Sequence, residues 1–352
     1  MRIVQGIDYL NVGGAERVLV DLSNLLYEKG QDVTVLCLLA EGKLDKKLDK
    51  SIPVIYLRRK NKYNPVYLYK LYKIVSQFDI IHIHLRQVLR YVSLFFYSFK
   101  LHKKTTVLFH DHYGKINTDK AISNSLKFAL KHCKAYIGVS NQLTLWAENN
   151  AVNSKIFKLG NIVRSATRSL ESKRLTDQIH VVSVGNFRPQ KNYEFLCALI
   201  AECPKKFNFT IYGHIVDANY YTKICNLIEK LNIAHSVKII SDCDSVTNEL
   251  QHYHIGLHCA SSETGPLVAL EYMNAALPFL AYNTGDVAED VSKNYPNFIQ
   301  KNFKIEHWIT NMEHILSNRE DYSSSIKSYV TDKYSEDTYL SKCLAIYNQL
   351  QN

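Results

Sequence analysis

Residues 259–273 place two carboxylates, Glu263 and Glu271, on either side of Thr264-Gly265-Pro266. Proline suits the first helical position, where its missing N–H is no loss, so the spacing predicts a helix opening at Pro266. Gly265 lets a ligand approach the backbone closely. The amides of Leu267 and Val268 would then be unpaired donors at the positive end of the helix dipole, a place for phosphate. Glu271 follows Pro266 by about 7–8 Å of helix at ~1.5 Å per residue. A diphosphate at the helix tip would bring its ribose hydroxyls near Glu271. The plain alternative is two solvated glutamates beside a helix start.

Other segments carry chemistry of a compatible kind. Asn11-Val12-Gly13-Gly14-Ala15-Glu16-Arg17 follows an apolar run and opens a helical pattern, where paired glycines allow a tight turn and close approach to a ligand. It matches neither Gly-x-Gly-x-x-Gly nor a Walker sequence. In Val184–Asn192, Arg188 and Lys191 could neutralise phosphate or serve as solvated surface cations. His82 and His84 form one alternate pair and His110 and His112 another, the latter flanking Asp111. Alternate residues on a strand share a face, so either pair could bind metal, or one imidazole could meet a sugar hydroxyl. His110-Asp111-His112 reads as the functional pair, and His82 and His84 as structural.

These residues need elements to hold them. In the first half, Ile3–Ile7, Asp32–Leu39, Val54–Leu57, Ile80–His84, Thr106–His110 and Tyr136–Val139 read as strands, with Ala15–Lys29 apolar at helical spacing. A polar, basic stretch from Arg164 to Gln178 reads as a linker, and a second series follows: His180–Gly185, Phe207–Gly213, Val237–Ile240, Ile255–Cys259 and Phe279–Tyr282. Each half is expected to be an α/β domain of Rossmann type, with ligands beyond the carboxyl ends of its strands and a cleft where the two face each other. The expected boundaries are 1–165 for the first domain, 166–178 for a linker and 179–330 for the second. Residues 331–352 form a helical segment expected to pack back on the first domain.

Composition narrows the class. The 352 residues are 46% hydrophobic and 22% charged, as in ordinary globular proteins. No secretory h-region and no run of ~18–20 apolar residues occurs. The eight cysteines contain no Cys-x-x-Cys pair, which fits a reducing cytoplasm better than a disulfide framework or zinc site. The net charge of +10 is uneven: residues 1–160 hold 25 Lys+Arg against 12 Asp+Glu, and the remainder 18 against 21. The basic half points to an anionic partner such as a membrane surface, or to a solubilising surface. Tyr91–Phe99 with Lys100, Lys103 and Lys104 could be a membrane-contacting helix, although its place between two strands favours burial as a crossover helix.

In this order, the pieces resemble family 4 retaining glycosyltransferases of the GT-B fold (glycosyltransferase group 1). The matching residues are Gly13 to Arg17, His110-Asp111, Val139-Ser140, Asn161, Val184–Asn192, Gly285 to Glu289, and the paired glutamates Glu263 and Glu271. The resemblance implies that Glu271 holds the donor's ribose, Glu263 contacts the transferred sugar, and Lys191 neutralises the diphosphate in the transition state. Gly13 and Gly14 would approach the diphosphate, as would the backbone around Gly265, Pro266, Leu267 and Val268, with Thr264, Gly213 and Arg188 also on the donor side. His110 would contact the donor sugar. It implies no metal or other cofactor and no clear protein nucleophile. Asn186 stands where the family usually has arginine, Thr264 and Ile162 replace glycines, Asp286 replaces the second glycine after Thr284, and His214-Ile215 replaces an acidic-glycine pair. These departures blur donor identity.

The expectation is therefore a cytoplasmic transferase that moves a sugar from a nucleotide sugar to a glycan or polyprenyl-linked glycan acceptor at the inner membrane face, in bacterial surface polysaccharide synthesis. A nucleotide-sugar-binding accessory protein without turnover is the alternative. Nucleic-acid binding lacks a recognisable module. A glycosidase using the two glutamates would leave the phosphate-directed features unexplained.

Overall fold

The computed structural model describes residues 1–99, 105–114, 116, 119–150, 152, 154–164, 178–241, 243 and 246–351. The expected linker, apart from Gln178, and Lys100, Lys103 and Lys104 lie outside these residues. The chain divides into two compact units, Met1–Ile162 with Glu336–Asn352, and Val163–Ser335.

The first unit contains β1 (Arg2–Ile7), β2 (Asp32–Cys37), β3 (Val54–Tyr56), β4 (Ile80–Ile83), β5 (Thr106–Asp111), β6 (Ala135–Gly138) and β7 (Lys155–Lys158) in one sheet, ordered β3-β2-β1-β4-β5-β6-β7. The pairings are parallel, and parallel strands covered on both faces need near-continuous apolar sequence. The central strand β4 is buried throughout. The crossovers include α1 (Gly14–Glu28), α2 (Pro65–Val75), α3 (Arg86–Phe99), α4 (Asn124–Leu130) and α5 (Asn141–Asn149). Side chains of Asn64, Ser123 and Ser140 accept from first-turn amides of α2, α4 and α5 and fix where those helices begin. Val88, Leu89, Tyr91 and Val92 of α3 are buried, so the start of the Tyr91–Phe99 segment packs as a crossover helix.

The second unit repeats the plan. Its sheet runs β10 (Val237–Ile240), β9 (Phe207–Tyr212), β8 (Ile179–Val184), β11 (Ile255–His258), β12 (Phe279–Tyr282), β13 (Ile299–Gln300). Around it lie α6 (Tyr193–Glu202), α7 (Ala218–Lys230), α8 (Leu267–Asn274), α9 (Gly285–Asn294), α10 (Ile305–Ser317) and α11 (Arg319–Lys333). The last helix, α12 (Glu336–Gln351), belongs to the first unit. In both sheets the order reverses beside the first strand of the unit, between β1 and β4 and between β8 and β11. Crossovers leave in opposite directions there and open a crevice at the carboxyl ends.

The helix carrying Glu271 is pinned to this reversal point. Tyr272 of α8 accepts from the Val184 amide at 3.1 Å and donates to the carbonyls of β8 and β11, at 3.4 Å to Val182 and 3.2 Å to Leu257. Its ring fills the space above Gly256, where a Cβ would stand 2.7 Å from the nearest ring carbon. Gly256→Ala should therefore force apart a ring that its hydroxyl holds in place, costing about 1–3 kcal/mol. Urea unfolding measures this; a loss under about 0.5 kcal/mol would show that the ring yields freely.

Candidate active site

The β8–β11 reversal point brings together two loops distant in sequence. Pairing of Val182 with Gly256 and Ser183 with Leu257 ends both strands side by side. The β8 loop then turns through Pro189–Lys191, and the β11 loop runs through Glu263 to α8. Ser261 N–H donates to the Gln190 carbonyl at 2.9 Å and ties the loops. Lys191 Nζ lies 2.5 Å from Glu263 Oε1, with both side chains 19% exposed. Arg188 is exposed at the start of the same turn.

Further constraints hold Glu263. Thr284 Oγ1 accepts from the Glu263 amide at 2.9 Å and donates to its carbonyl at 3.3 Å. Asp286 N–H donates to the Thr264 carbonyl at 3.1 Å. Gly285 between them has φ +76, and a Cβ there would come within 2.9 Å of the Glu263 and Thr264 carbonyl oxygens. Only glycine meets both demands cheaply. Gly213 performs a similar service: a Cβ there would overlap the Gly185 carbonyl, so the β8 and β9 loops stack directly.

Pro266 corrects the expected helix start. It is the N-cap of α8, with an extended ψ of 108, and Leu267 is the first helical residue. A proline φ of −66 fits either position, and ψ decides. The amides of Leu267 and Val268 remain in the first turn, where no intrahelical carbonyl serves them. Gly265 and Thr264 are buried beside them, and Glu271 is 5% exposed.

Burial opposes ionisation of Glu263, but Lys191, His258 and Arg188 hold its carboxyl below the usual range. His258, the last residue of β11, has no spacing signal in the sequence. It is 2% exposed, and its Nε2 has no hydrogen-bond partner among the described residues. Burial foremost, then Lys191, push its pKa down to about 3, so a neutral imidazole stands beside the ion pair.

In the first unit, Gly13 caps α1 with an extended φ of −161, and the Glu16 carboxylate occupies the space a Cβ would take. The two glycines therefore make no left-handed turn. His110 is fully buried, its Nε2 3.2 Å from the Leu159 carbonyl. Asp111 is saturated: it accepts from Arg86 at 2.6 Å, Tyr136 Oη at 2.9 Å and the Tyr113 amide at 3.1 Å. Arg86 in turn stacks over Tyr113 and Trp146. The two histidine pairs are neighbours in space. His84 Nδ1 lies 3.2 Å from His112 Nε2, and the His82 and His84 rings stack at 4.4 Å.

The depressed Glu263 pKa has a direct consequence. Its pairing stabilises the fold above the unfolded carboxyl value and is lost as pH falls through the lower folded one. Lys191→Met should therefore lower the melting temperature at pH 7, with the gap from wild type narrowing below about pH 4.5. A gap constant from about pH 7 to about pH 3 would show that the pair carries no linkage.

Two family models match the chain: Glycosyltransferase Family 4 over residues 12–156 and Glycosyl transferases group 1 over residues 167–330. An uncharacterized glycosyltransferase of Haemophilus influenzae is 24% identical over 334 residues, spanning 89% of each chain. A human GDP-Man:Man(3)GlcNAc(2)-PP-Dol alpha-1,2-mannosyltransferase is 27% identical over 162 residues, 42% of this chain and 33% of that one. Among solved structures, Anabaena HepE in complex with UDP and glucose superposes with a TM-score of 0.82 at 15% identity, covering 99% of both chains. A point mutant of Staphylococcus aureus TarM, solved with Fondaparinux, alpha-GlcNAc-glycerol and UDP, gives 0.82 at 14% identity and covers 100% of both. With one family model on each Rossmann-like unit, the chain belongs to the group 1, family 4 glycosyltransferases and has their GT-B fold.

Proposed function

We propose that this glycosyltransferase takes a sugar from a nucleotide-sugar donor and passes it, with retention of anomeric configuration, to a glycan or polyprenyl-linked glycan in bacterial surface polysaccharide synthesis. The observation that carries the reading is the Lys191–Glu263 ion pair beside the first turn of α8, with Glu271 buried farther along that helix. Lys191 and the amides of Leu267 and Val268 are suited to a diphosphate, where leaving-group charge develops. Glu271 is suited to ribose hydroxyls. Glu263 faces a conflict, since its carboxylate would meet phosphate charge once Lys191 turns to the diphosphate. Hydrogen bonds from the transferred sugar's hydroxyls resolve that conflict, and this supports the sugar-contacting role. Fixed cations and amides supply the positive charge, so the reading requires no metal for leaving-group stabilisation. UDP and glucose in the HepE structure, and UDP in the TarM structure, agree with a nucleotide-diphosphate sugar as the donor class.

The acceptor side draws on the basic first unit. Residues 50–78 hold seven Lys or Arg and no Asp or Glu. On α2 and the turn before it, Tyr63, Val66 and Tyr69 are 71%, 56% and 48% exposed, interleaved with Lys60, Lys62, Lys70 and Lys73. Cations with amphipathic aromatics suit an anionic lipid surface, consistent with a cytoplasmic enzyme at the inner membrane face. No helix among the described residues is long and apolar enough to cross a membrane.

Glu271→Ala and Lys191→Ala should each lower donor turnover about 100-fold or more while keeping the wild-type circular dichroism spectrum. Turnover is read as nucleoside diphosphate release across a panel of donor sugars; full activity in both variants would sink the assignment. Stabilisation by UDP or GDP without turnover of any donor would favour the accessory-protein alternative. Replacing Lys60, Lys62, Lys70 and Lys73 by Gln should weaken co-sedimentation with phosphatidylglycerol vesicles at least about tenfold; unchanged sedimentation would remove this surface.

A further inference from the structure

The first unit's reversal point carries a second Asp–Arg pair, built differently from Asp111 and Arg86. Asp8 follows β1 directly, and Arg59 comes shortly after β3. The parallel ladder runs on past the strand ends and brings the two together. Leu38 N–H donates to the Ile7 carbonyl at 2.9 Å, Leu39 N–H to that of Asp8 at 2.8 Å, and Arg59 N–H to that of Leu38 at 2.9 Å. Arg58, just before, has φ +52, a left-handed conformation that is costly for a long side chain. Such strain persists only where the surroundings impose it. Here an ion pair with Glu41 at 2.6 Å helps to hold the turn.

The Asp8 carboxyl is short of partners. The residue is 9% exposed, and its Oδ1 is buried with no hydrogen-bond partner among the described residues. Arg59 Nη2 lies 3.6 Å from that atom, beyond the roughly 2.7–3.2 Å of an N–H···O bond. Gln87 of α3 also donates to the carboxyl, yet burial outweighs both neighbours and raises its pKa. The Arg59 guanidinium stacks over the Tyr91 ring, 4.0 Å from its centre. Tyr91 Oη is a second buried oxygen with no partner of normal hydrogen-bond geometry among the described residues. Asp111, by contrast, accepts from Arg86, Tyr136 and Tyr113. An unmatched buried polar atom costs about 1–3 kcal/mol. Two of them around one arginine, where strand order reverses, mark a place built for a ligand.

We propose that Asp8 and Arg59 hold a hydroxyl of the acceptor, an uncharged sugar ring, with Tyr91 Oη taking a neighbouring hydroxyl. An oxygen about 2.8 Å from both groups must donate to the carboxylate and accept from the guanidinium. A hydroxyl does both. Phosphate could accept from Arg59 but would set its charge against Asp8, and an ammonium group would face the reverse conflict. The paired charges therefore select a neutral polyol. The Arg59 and Asp8 side chains keep 14% and 12% exposure. With no hydrogen bond between them, the guanidinium can slide across Tyr91 and admit the hydroxyl. Tyr9, beside Asp8 and 37% exposed, gives the same loop an aromatic surface for the ring's apolar face. The acceptor role rests on the transferase reading; the sugar site itself does not.

The test uses the full chain in saturation-transfer NMR with UDP present. The probes are methyl glycosides of glucose, galactose, mannose and N-acetylglucosamine at millimolar concentration. At least one glycoside should take up saturation from the wild type. Asp8→Ala should weaken its binding at least about tenfold. Arg59→Met, which keeps the stem on Tyr91 and removes the donors, should do the same, and it carries the test should Asp8→Ala fail to fold. Glu263→Ala, on the donor side, should leave glycoside binding in place. A signal that depends on Glu263 but on neither Asp8 nor Arg59 would overturn the proposal, as would displacement of the glycoside by inorganic phosphate. No transfer to any probe would overturn it too, and would leave ordered water as the partner of Asp8 Oδ1. Stabilisation by UDP, read alongside as a melting-temperature shift, reports on the donor site alone and separates failure of the transferase reading from failure of this site.

Discussion

Parallel strand pairing is the constraint from which the rest follows. Successive parallel strands must be joined by crossovers that cover the sheet, so charged chemistry is confined to the points where strands stop. Gly13, Lys191, Gly213 and Glu263 lie just past strand ends, and His110 is the penultimate residue of β5. Reversal of strand order makes one such point special in each unit. Lys191 and Glu263 are 72 residues apart in sequence, yet β8 and β11 are neighbours in the sheet. Their meeting is a property of topology before it is one of side-chain attraction.

What the side chains add is precision of placement. A partly buried ion pair is weak as a source of net stability, because desolvation offsets much of its attraction. Its geometry is consequently set by its surroundings: the Ser261–Gln190 hydrogen bond, the Thr284 hydroxyl, Gly285 with its positive φ, and Tyr272 holding α8 to two strands. The pair can then exchange partners at little structural cost, since neither loop relies on it for position. A site that must admit a diphosphate and release it needs that property.

Much of this is legible in the sequence because local pattern and fold agree. Buried parallel strands leave short runs rich in apolar and β-branched residues, and eleven such runs coincide to within one or two residues with β1–β6 and β8–β12. The edge strands β7 and β13 leave none. β7 is Lys-Ile-Phe-Lys, too short and too charged to stand out, and β13 has two residues. The paired glutamates, Lys191 and Gly285 are visible through spacing and family resemblance, but nothing local reveals that β8 abuts β11. His258 escapes notice because one histidine ending an apolar strand has no periodic signal. That His82 and His84 lie beside His110 is hidden for a related reason. Alternation along a strand is visible in sequence; register with the next strand, and a tyrosine returning from residue 347, are not.

The two units thus solve opposite electrostatic problems at equivalent places. The second holds the Lys191–Glu263 ion pair near solvent, where mutual attraction and partial hydration tolerate charge. The first buries imidazoles so completely that they are neutral, and pairs His84 and His110 with amide oxygens that can accept but not ionise. A neutral layer of this kind offers little to an incoming phosphate, whose charge would be poorly solvated there. The chemistry each crevice can perform is therefore set less by its fold, which is shared, than by whether its polar groups were left charged at the rim or neutralised within.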